Sequence, residues 1–102
     1  MYYRNETPVG VNDSEHALAT HVSIVPNPAH DFTAVQAQFP AREQKAILQL
    51  MDLRGSSLHS KEVALLNGRL DYALQLDGLA KGLYLIEIQV GENRIRKKLV
   101  LR

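Results

Sequence analysis

Tight turns divide the sequence into strand-length segments from residue 21 to its last residue. Four of them contain a residue that tolerates positive φ, as tight hairpins require: Arg54-Gly55, Asn67-Gly68, Asp77-Gly78 and Gly91-Glu92-Asn93. With the runs of alternating apolar and polar residues, these turns predict seven strands, at 21–25, 31–38, 46–53, 57–65, 69–76, 83–90 and 94–101. Seven short strands joined in this way are typical of an antiparallel sandwich.

The first predicted strand stops at Pro26-Asn27-Pro28. Each proline fixes its own φ and lacks a backbone donor, and the residue before a proline avoids the helical region. We therefore expect Asn27 in an extended or turn conformation. Upstream, residues 1–20 have turn-forming residues and no sustained periodicity. They are expected to be a flexible linker or the end of a preceding region, and residues 21–102 to form one domain.

Alternation with a period of two indicates which side chains face the core. In segment 83–90 one face carries Tyr84, Ile86, Ile88 and Val90, and the other carries Glu87 and Gln89. Segment 46–53 is apolar on both faces, as expected of a central strand. Cysteine and tryptophan are absent, which excludes the disulfide-pinned immunoglobulin type. The predicted fold is all-β: an antiparallel, seven-stranded, immunoglobulin-like β-sandwich without a disulfide.

Composition argues against several classes of partner. A net charge of +1 over 102 residues gives no overall attraction to nucleic acid or anionic lipid. No apolar run approaches the ~18 residues of a transmembrane helix, and the first residues lack the features of a signal peptide. The chain is expected to be either cytoplasmic or the C-terminal part of an exported precursor whose signal lies upstream. The absence of cysteine leaves both alternatives open.

Residue types that support catalysis or metal binding are present, but not in a recognisable arrangement. Zinc-ligand spacing on a rigid element is not found among the histidines, His16, His21, His30 and His59. Ser56 and Ser57 have no nucleophile elbow around them. The glycines are too scattered to bind a phosphate. We therefore expect no enzymatic activity, no cofactor and no metal.

Four sequence blocks resemble, in order, the C-terminal sorting domain of type IX secretion cargo. Block 1 is Val22-Ser23-Ile24-Val25-Pro26-Asn27-Pro28-Ala29, and block 2 is Leu50-Met51-Asp52-Leu53-Arg54-Gly55. Block 3 is Leu76-Asp77-Gly78-Leu79-Ala80-Lys81-Gly82-Leu83-Tyr84-Leu85, and block 4 is Lys97-Lys98-Leu99-Val100-Leu101. The blocks span about the final four fifths of the chain. Val25 stands where the family usually has an aromatic residue.

This resemblance implies a secretion signal of a Bacteroidetes-type cargo protein, preceded by a cargo domain of unknown identity. It implies recognition by the type IX outer-membrane translocon. In many cargos a sortase-like surface protease removes the domain and attaches the mature protein to a lipopolysaccharide anchor. The implied location is the cell surface or the medium, reached through the periplasm. If the domain is cleaved, the cut is expected between Asn5 and Val22.

Block 4 is the expected site of translocon recognition, with residues Lys97, Lys98, Leu99, Val100 and Leu101. The other block residues are expected to be structural: Pro26, Asn27, Pro28, Asp52, Gly55, Leu79, Gly82 and Tyr84. Asp52 is expected to accept local backbone N–H groups before a left-handed Gly55. The Tyr84 ring is expected in the core with its hydroxyl at the edge of the sandwich.

The last predicted strand is cationic. Alternation places Arg94, Arg96 and Lys98 on a solvated face and Lys97 on the apolar one. An inward charge on an edge strand, or a bulge at Lys97-Lys98, would protect against edge-to-edge aggregation. Pairing of two copies through their edges stays open.

The main alternative function is an adhesive or carbohydrate-binding β-sandwich that is retained on a mature surface protein. Such a module needs an exposed aromatic platform or a calcium loop. The chain has six aromatic residues, and most of them stand at positions predicted to face the core.

Overall fold

A computed structural model describes residues 21–102, which form two antiparallel sheets packed face to face. The expected linker at residues 1–20 lies outside this range. The strands are β1 His21–Val25, β2 Phe32–Gln38, β3 Lys45–Met51, β4 Ser57–Ala64, β5 Arg69–Gln75, β6 Gly82–Val90 and β7 Asn93–Leu101. One sheet has the order β1-β2-β5, and the other has the order β4-β3-β6-β7. The predicted all-β sandwich is confirmed, and no strand boundary differs from its prediction by more than two residues.

The core lies between the two sheets and contains the apolar residues that alternate along the strands. Nine of its larger residues are almost completely buried: Leu48, Leu50, Leu70, Leu74, Leu76, Ile86, Ile88, Ile95 and Leu99. Removal of this apolar surface from water is the main stabilising contribution. As predicted, β3 is a central strand, and Met51 on its outer face is buried as well. No helix within residues 21–102 has the length and hydropathy needed to cross a membrane.

The turn before β5 requires its glycine. Asn67 and Gly68 both have positive φ, 52° and 80°. A Cβ atom on Gly68 would lie 2.5 Å from the carbonyl oxygen of Pro40, which is closer than a carbon can approach. The Gly68 carbonyl also accepts a hydrogen bond from the Phe39 N–H at 2.9 Å. The turn therefore joins the loop after β2 to the start of β5.

Two local predictions were wrong. Strand β3 ends at Met51 and not at residue 53, because Asp52 begins a turn and the β3–β4 register shifts between Leu50 and Met51. The alternative of a bulge at Lys97-Lys98 is also wrong, since β6 and β7 pair without interruption from Gly82↔Leu101 to Val90↔Asn93. Lys97 instead lies on the inward side of β7, half-buried, and β7 is an edge strand.

The chain passes from one sheet to the other immediately after β1. Strand β1 pairs with β2 in the three-stranded sheet and stops at Val25. Ala29 then forms a parallel bridge with Leu101 at the edge of the four-stranded sheet. The Ala29 N–H donates to the Val100 carbonyl, and the Arg102 N–H donates to the Ala29 carbonyl, both at 2.8 Å. The Pro-Asn-Pro segment thus connects the first strand with the last.

Candidate functional site

The four sequence blocks meet at one end of the four-stranded sheet. In β6 and β7, Leu83 pairs with Val100 and Tyr84 with Leu99, which joins block 3 to block 4. Met51 pairs with Leu85 across β3 and β6, which adds block 2. Ala29 of block 1 lies against the outer edge of β7. We call this region, made of residues 27–29, 97–101, 82–85 and 50–53, the block end.

Asn27 occupies the place that a neighbouring strand would take beside β7. Its Nδ2 donates to the Lys98 carbonyl at 2.9 Å, and its Oδ1 accepts from the Val100 N–H at 3.0 Å. A side-chain amide can do this because it has a donor and an acceptor on one planar group. Unpaired backbone groups at a sheet edge otherwise invite pairing with another chain. Asn27 therefore covers part of the edge.

A buried threonine holds the same segment from the other side. Thr33 of β2 is fully buried, and its Oγ1 donates to the Pro26 carbonyl at 2.8 Å. A buried hydroxyl without a partner would be costly, so this bond also satisfies Thr33. We call residues 26–30 the strap, because they are bonded both to β2 and to the end of β7. His30 adds a contact between its Nδ1 and the Arg102 carbonyl at 2.7 Å.

The five residues expected to be recognised differ in accessibility. Leu99 and Leu101 are buried and belong to the core. Val100 is half-buried, and its backbone is bonded to Asn27 and Ala29. Lys98 is exposed, and Lys97 is half-buried. A partner can therefore reach the two lysine side chains, but it cannot reach the two leucines without unfolding the strand.

Asp52 organises the turn that follows β3. Its Oδ1 accepts the N–H groups of Arg54 at 2.9 Å and of Ser56 at 3.0 Å, and its Oδ2 accepts from the Arg54 guanidinium at 3.1 Å. These contacts lower the pKa of Asp52. The Ser56 N–H contributes most, burial opposes it, and the two bonds and the charge of Arg54 each add a smaller lowering. Gly55 follows with φ of 90°. This carboxylate is engaged in holding the turn.

The residues of block 3 fix the start of β6. Leu79 packs against the core, and the Tyr84 ring is buried with its hydroxyl donating to the Ala80 carbonyl. Gly82 is the first residue of β6. Tyr84 therefore ties the preceding loop to the strand. Its neighbour Leu83 points to the opposite, outer face of the sheet and is 47% exposed.

Exposed apolar side chains accompany Lys98 at the block end. Leu83 is 47% exposed, and Leu53, just after Asp52, is 60% exposed. Large exposed apolar residues are informative when they cluster, because clusters mark contact surfaces more often than single residues do. The block end therefore presents an exposed cation and exposed apolar side chains.

Sequence reasoning missed an ion pair on the outer face of the same sheet. Glu87 lies on the predicted outer face, yet only 6% of it is exposed. Its Oε2 accepts from the Arg96 Nε at 2.8 Å, and the two residues are paired in the register of β6 and β7. The signal in the sequence is only a Glu and an Arg on equivalent faces of a hairpin. That signal does not reveal burial.

Residues 21–102 have few of the features that an adhesive or carbohydrate-binding module needs. Of the aromatic residues in this range, Phe39 and Tyr84 are buried, Tyr72 is half-buried, and Phe32 is exposed. Across the same residues, no group of three or more His, Cys, Asp or Glu is placed to hold a metal ion. Within the described part of the chain, therefore, an aromatic platform for sugar stacking is not formed.

Comparison with known proteins identifies the family. Residues 23–102 match the model of the "Secretion system C-terminal sorting domain". A search of curated proteins gave no match. Among solved structures, dimeric latent PorU from Porphyromonas gingivalis matches with a TM-score of 0.65 and 17% identity over 78% of this chain, which corresponds to 9% of the PorU chain. At that identity the likeness supports the fold alone. With the family model covering most of its length, the chain belongs to the secretion system C-terminal sorting domain family of type IX secretion.

Proposed function

We propose that residues 21–102 form a non-catalytic sorting unit that the type IX translocon recognises at the block end. The observation that carries this proposal is that segments of all four blocks, which are separated in sequence, converge on one end of the four-stranded sheet. Residues that served only to stabilise a sandwich would be expected throughout the core. Exposed Lys98 and Leu83 give this end a surface that a partner can read.

Within block 4, the proposal assigns recognition to Lys97 and Lys98 and support to Leu99 and Leu101. The buried leucines hold β7 in register, and Asn27 and Ala29 fix the backbone of Val100. The backbone positions of both lysines are consequently set by the fold, with the Lys98 side chain on the outer face and the Lys97 side chain on the inward side. A backbone that is already ordered needs little further ordering on binding, which favours specific recognition.

A fusion experiment tests the sorting role. The full chain and residues 21–102 are each fused to the C-terminus of a Sec-exported reporter in a type IX-competent cell. Both fusions are expected to bring the reporter to the cell surface through the periplasm. A folded fusion that stays periplasmic would contradict the sorting role and favour an adhesive module retained on a surface protein. Display by the full chain alone would show that residues 1–20 contribute.

A charge-matched pair of variants tests the site. Lys97→Gln/Lys98→Gln is expected to reduce display while the domain stays folded. Lys45→Gln/Lys61→Gln removes the same charge from exposed positions on β3 and β4, away from the block end, and is expected to display normally. Equal display by both double variants would remove the recognition role from block 4.

Cleavage is proposed to precede β1. A protease needs an unpaired segment, whereas His21 to Val25 are paired with β2 along the whole strand. A sortase-like surface protease would therefore cut between Asn5 and Val22 and release the cargo from the domain. Mass spectrometry of the C-terminus of the mature cargo measures the position. A mature end beyond Pro28 would contradict this boundary.

Pairing of two copies through an edge strand is proposed to use β4 and not β7. Two β7 edges would bring the cations of both copies together, and like charges opposite each other are destabilising. Strand β4 carries one lysine and one glutamate, Lys61 and Glu62, so two β4 edges meet without the excess of cations that two β7 edges would bring. Light scattering at increasing concentration measures the association. A dimer that Lys61→Glu leaves unchanged would contradict the use of β4.

A further inference from the structure

The strap covers only the C-terminal half of the β7 edge. The bonded groups are the Lys98 carbonyl, the N–H and carbonyl of Val100, and the Arg102 N–H. Outward-facing backbone groups belong to every second residue of an antiparallel strand. The same phase therefore turns the N–H and carbonyl groups of Arg94 and Arg96, and the N–H of Lys98, toward the open edge. No strand of the described chain lies beside them.

The side chains of these residues make the open edge cationic. Arg94, Arg96 and Lys98 lie on the outer face of the sheet and are exposed. Arg96 is partly neutralised by Glu87 at 2.8 Å. Among residues 21–102, neither Arg94 nor Lys98 forms an ion pair. The open edge thus combines unpaired backbone groups with two cations that are four residues apart.

We propose that the edge from Arg94 to Lys98 binds an extended acidic segment of a partner protein as an added β-strand. Main-chain hydrogen bonds supply affinity in this mode, and side chains at alternate positions supply specificity. An antiparallel added strand places its residues directly opposite Arg94, Arg96 and Lys98 on the same face. Asp or Glu opposite Arg94 and Lys98, four residues apart, matches their charges.

Two features of the edge restrict the partner. The Asn27 side chain already occupies the Lys98 carbonyl, so an added strand cannot continue past Lys98 unless the strap is displaced. A second β7 edge is disfavoured because it would oppose cation to cation. A short acidic strand is therefore the occupant that fits both the length of the open edge and its charge.

This surface shares Lys98 with block 4, but the proposed contact does not depend on the sorting role. The contact uses backbone groups from Arg94 onward, and it is measured with the purified chain and not by export. A parent chain that displays its reporter normally but does not bind the peptide would count against the edge site alone. A parent chain that binds the peptide but does not display its reporter would count against the sorting role alone.

The test measures binding of synthetic peptides to the full chain by fluorescence anisotropy. The probe is a labelled, β-prone peptide of valine and threonine with two glutamates four residues apart. The same peptide with lysine in place of glutamate is the charge control. Two further peptides carry N-methyl groups on alternate residues, in one phase or the other. Binding is expected for the glutamate peptide, with loss in one methylation phase only.

Two substitutions separate charge from backbone. Arg94→Gln is expected to weaken binding by about 2- to 5-fold, since it removes one cross-strand charge pair. Arg94→Pro also removes the Arg94 N–H, which faces the open edge. Because this N–H does not pair with β6, proline is tolerated at this position of an edge strand. This substitution is expected to weaken binding further. Lys45→Gln, on another strand, is expected to bind normally.

Several results would overturn the proposal. Equal binding of the lysine and glutamate peptides would remove charge selection. Tolerance of N-methylation in both phases would exclude an added strand, and this result needs no variant to fold. Absence of peptide binding at low ionic strength would mean that the edge has no partner of this kind. Self-association of the chain that Arg94→Pro prevents would mean that the edge binds a second copy.

Discussion

The Oδ1 atom of Asn27 accepts the backbone N–H of Val100 at 3.0 Å, across a sequence separation of 73 residues. The other end of the same amide donates to the Lys98 carbonyl. One side chain therefore links the first block of the sequence to the last, and it does so through backbone groups whose position depends on the pairing of β7 with β6. The strap and β7 are therefore expected to unfold together, as one cooperative unit.

Asn27→Ala removes both of these hydrogen bonds. We expect a loss of about 1–2 kcal/mol in the free energy of unfolding, because each net bond contributes modestly and water can reach the freed groups. Gln75→Ala, an exposed amide on β5, is the matched control and is expected to change little. Urea unfolding of both variants provides the measurement. Equal stability of the two would mean that the strap contributes nothing through Asn27.

Leu99 and Lys98 are neighbours in β7 that differ in burial, since Leu99 lies in the core and Lys98 is exposed. Leu99→Ala and Leu101→Ala are each expected to cost on the order of 2–5 kcal/mol, because both side chains are buried in the core. For exposed Lys98, substitution by glutamine is expected to stay within about 0.5 kcal/mol of the parent chain. Half-buried Lys97 is expected to add a cost to the Lys97→Gln/Lys98→Gln variant that stays smaller than that of either leucine. Thermal melting beside surface display distinguishes these effects. Normal melting with normal display for the lysine pair would leave β7 a purely structural strand.

The Glu87–Arg96 pair predicts a non-additive response. Arg96→Gln is expected to cost about 1–3 kcal/mol, since it leaves a buried carboxylate without its charged partner. The Glu87→Gln/Arg96→Gln double variant is expected to be more stable than Arg96→Gln alone, because the unpaired charge is then gone. A double-mutant cycle from urea unfolding measures the coupling. Strict additivity would show that Glu87 and Arg96 do not stabilise each other, although their charged groups are 2.8 Å apart.

Asp52 predicts a pH dependence. The Ser56 N–H, followed by the bonds and the charge of Arg54, lowers its folded pKa below the ordinary 3.8. A lowered folded pKa means that the carboxylate stabilises the fold above the unfolded pKa, and that this contribution is lost as the pH falls through the folded pKa. Asp52→Asn is expected to flatten the stability profile below about pH 4. Unchanged slopes from pH 5 to pH 2 would contradict the assignment.

The strands could be predicted from sequence because their signals are local. The turn residues at Asn67-Gly68 and the alternation in β6 placed those elements correctly, since φ preferences and side-chain faces depend on near neighbours. The same local signals placed Glu87 on the outer face. They could not reveal its burial, because that depends on Arg96 and on side chains of other strands.

The sequence by itself determined that this chain is a seven-stranded sandwich, which residues face its core, and that it carries the blocks of a sorting domain. Only the tertiary structure decided how those blocks meet, that the strap covers half of the β7 edge while Arg94 stays open, and that Leu99 is buried beside an exposed Lys98. The reason is physical. Periodicity and turn chemistry act over a few residues, whereas an edge and its covering are properties of segments that only the pairing of strands brings together.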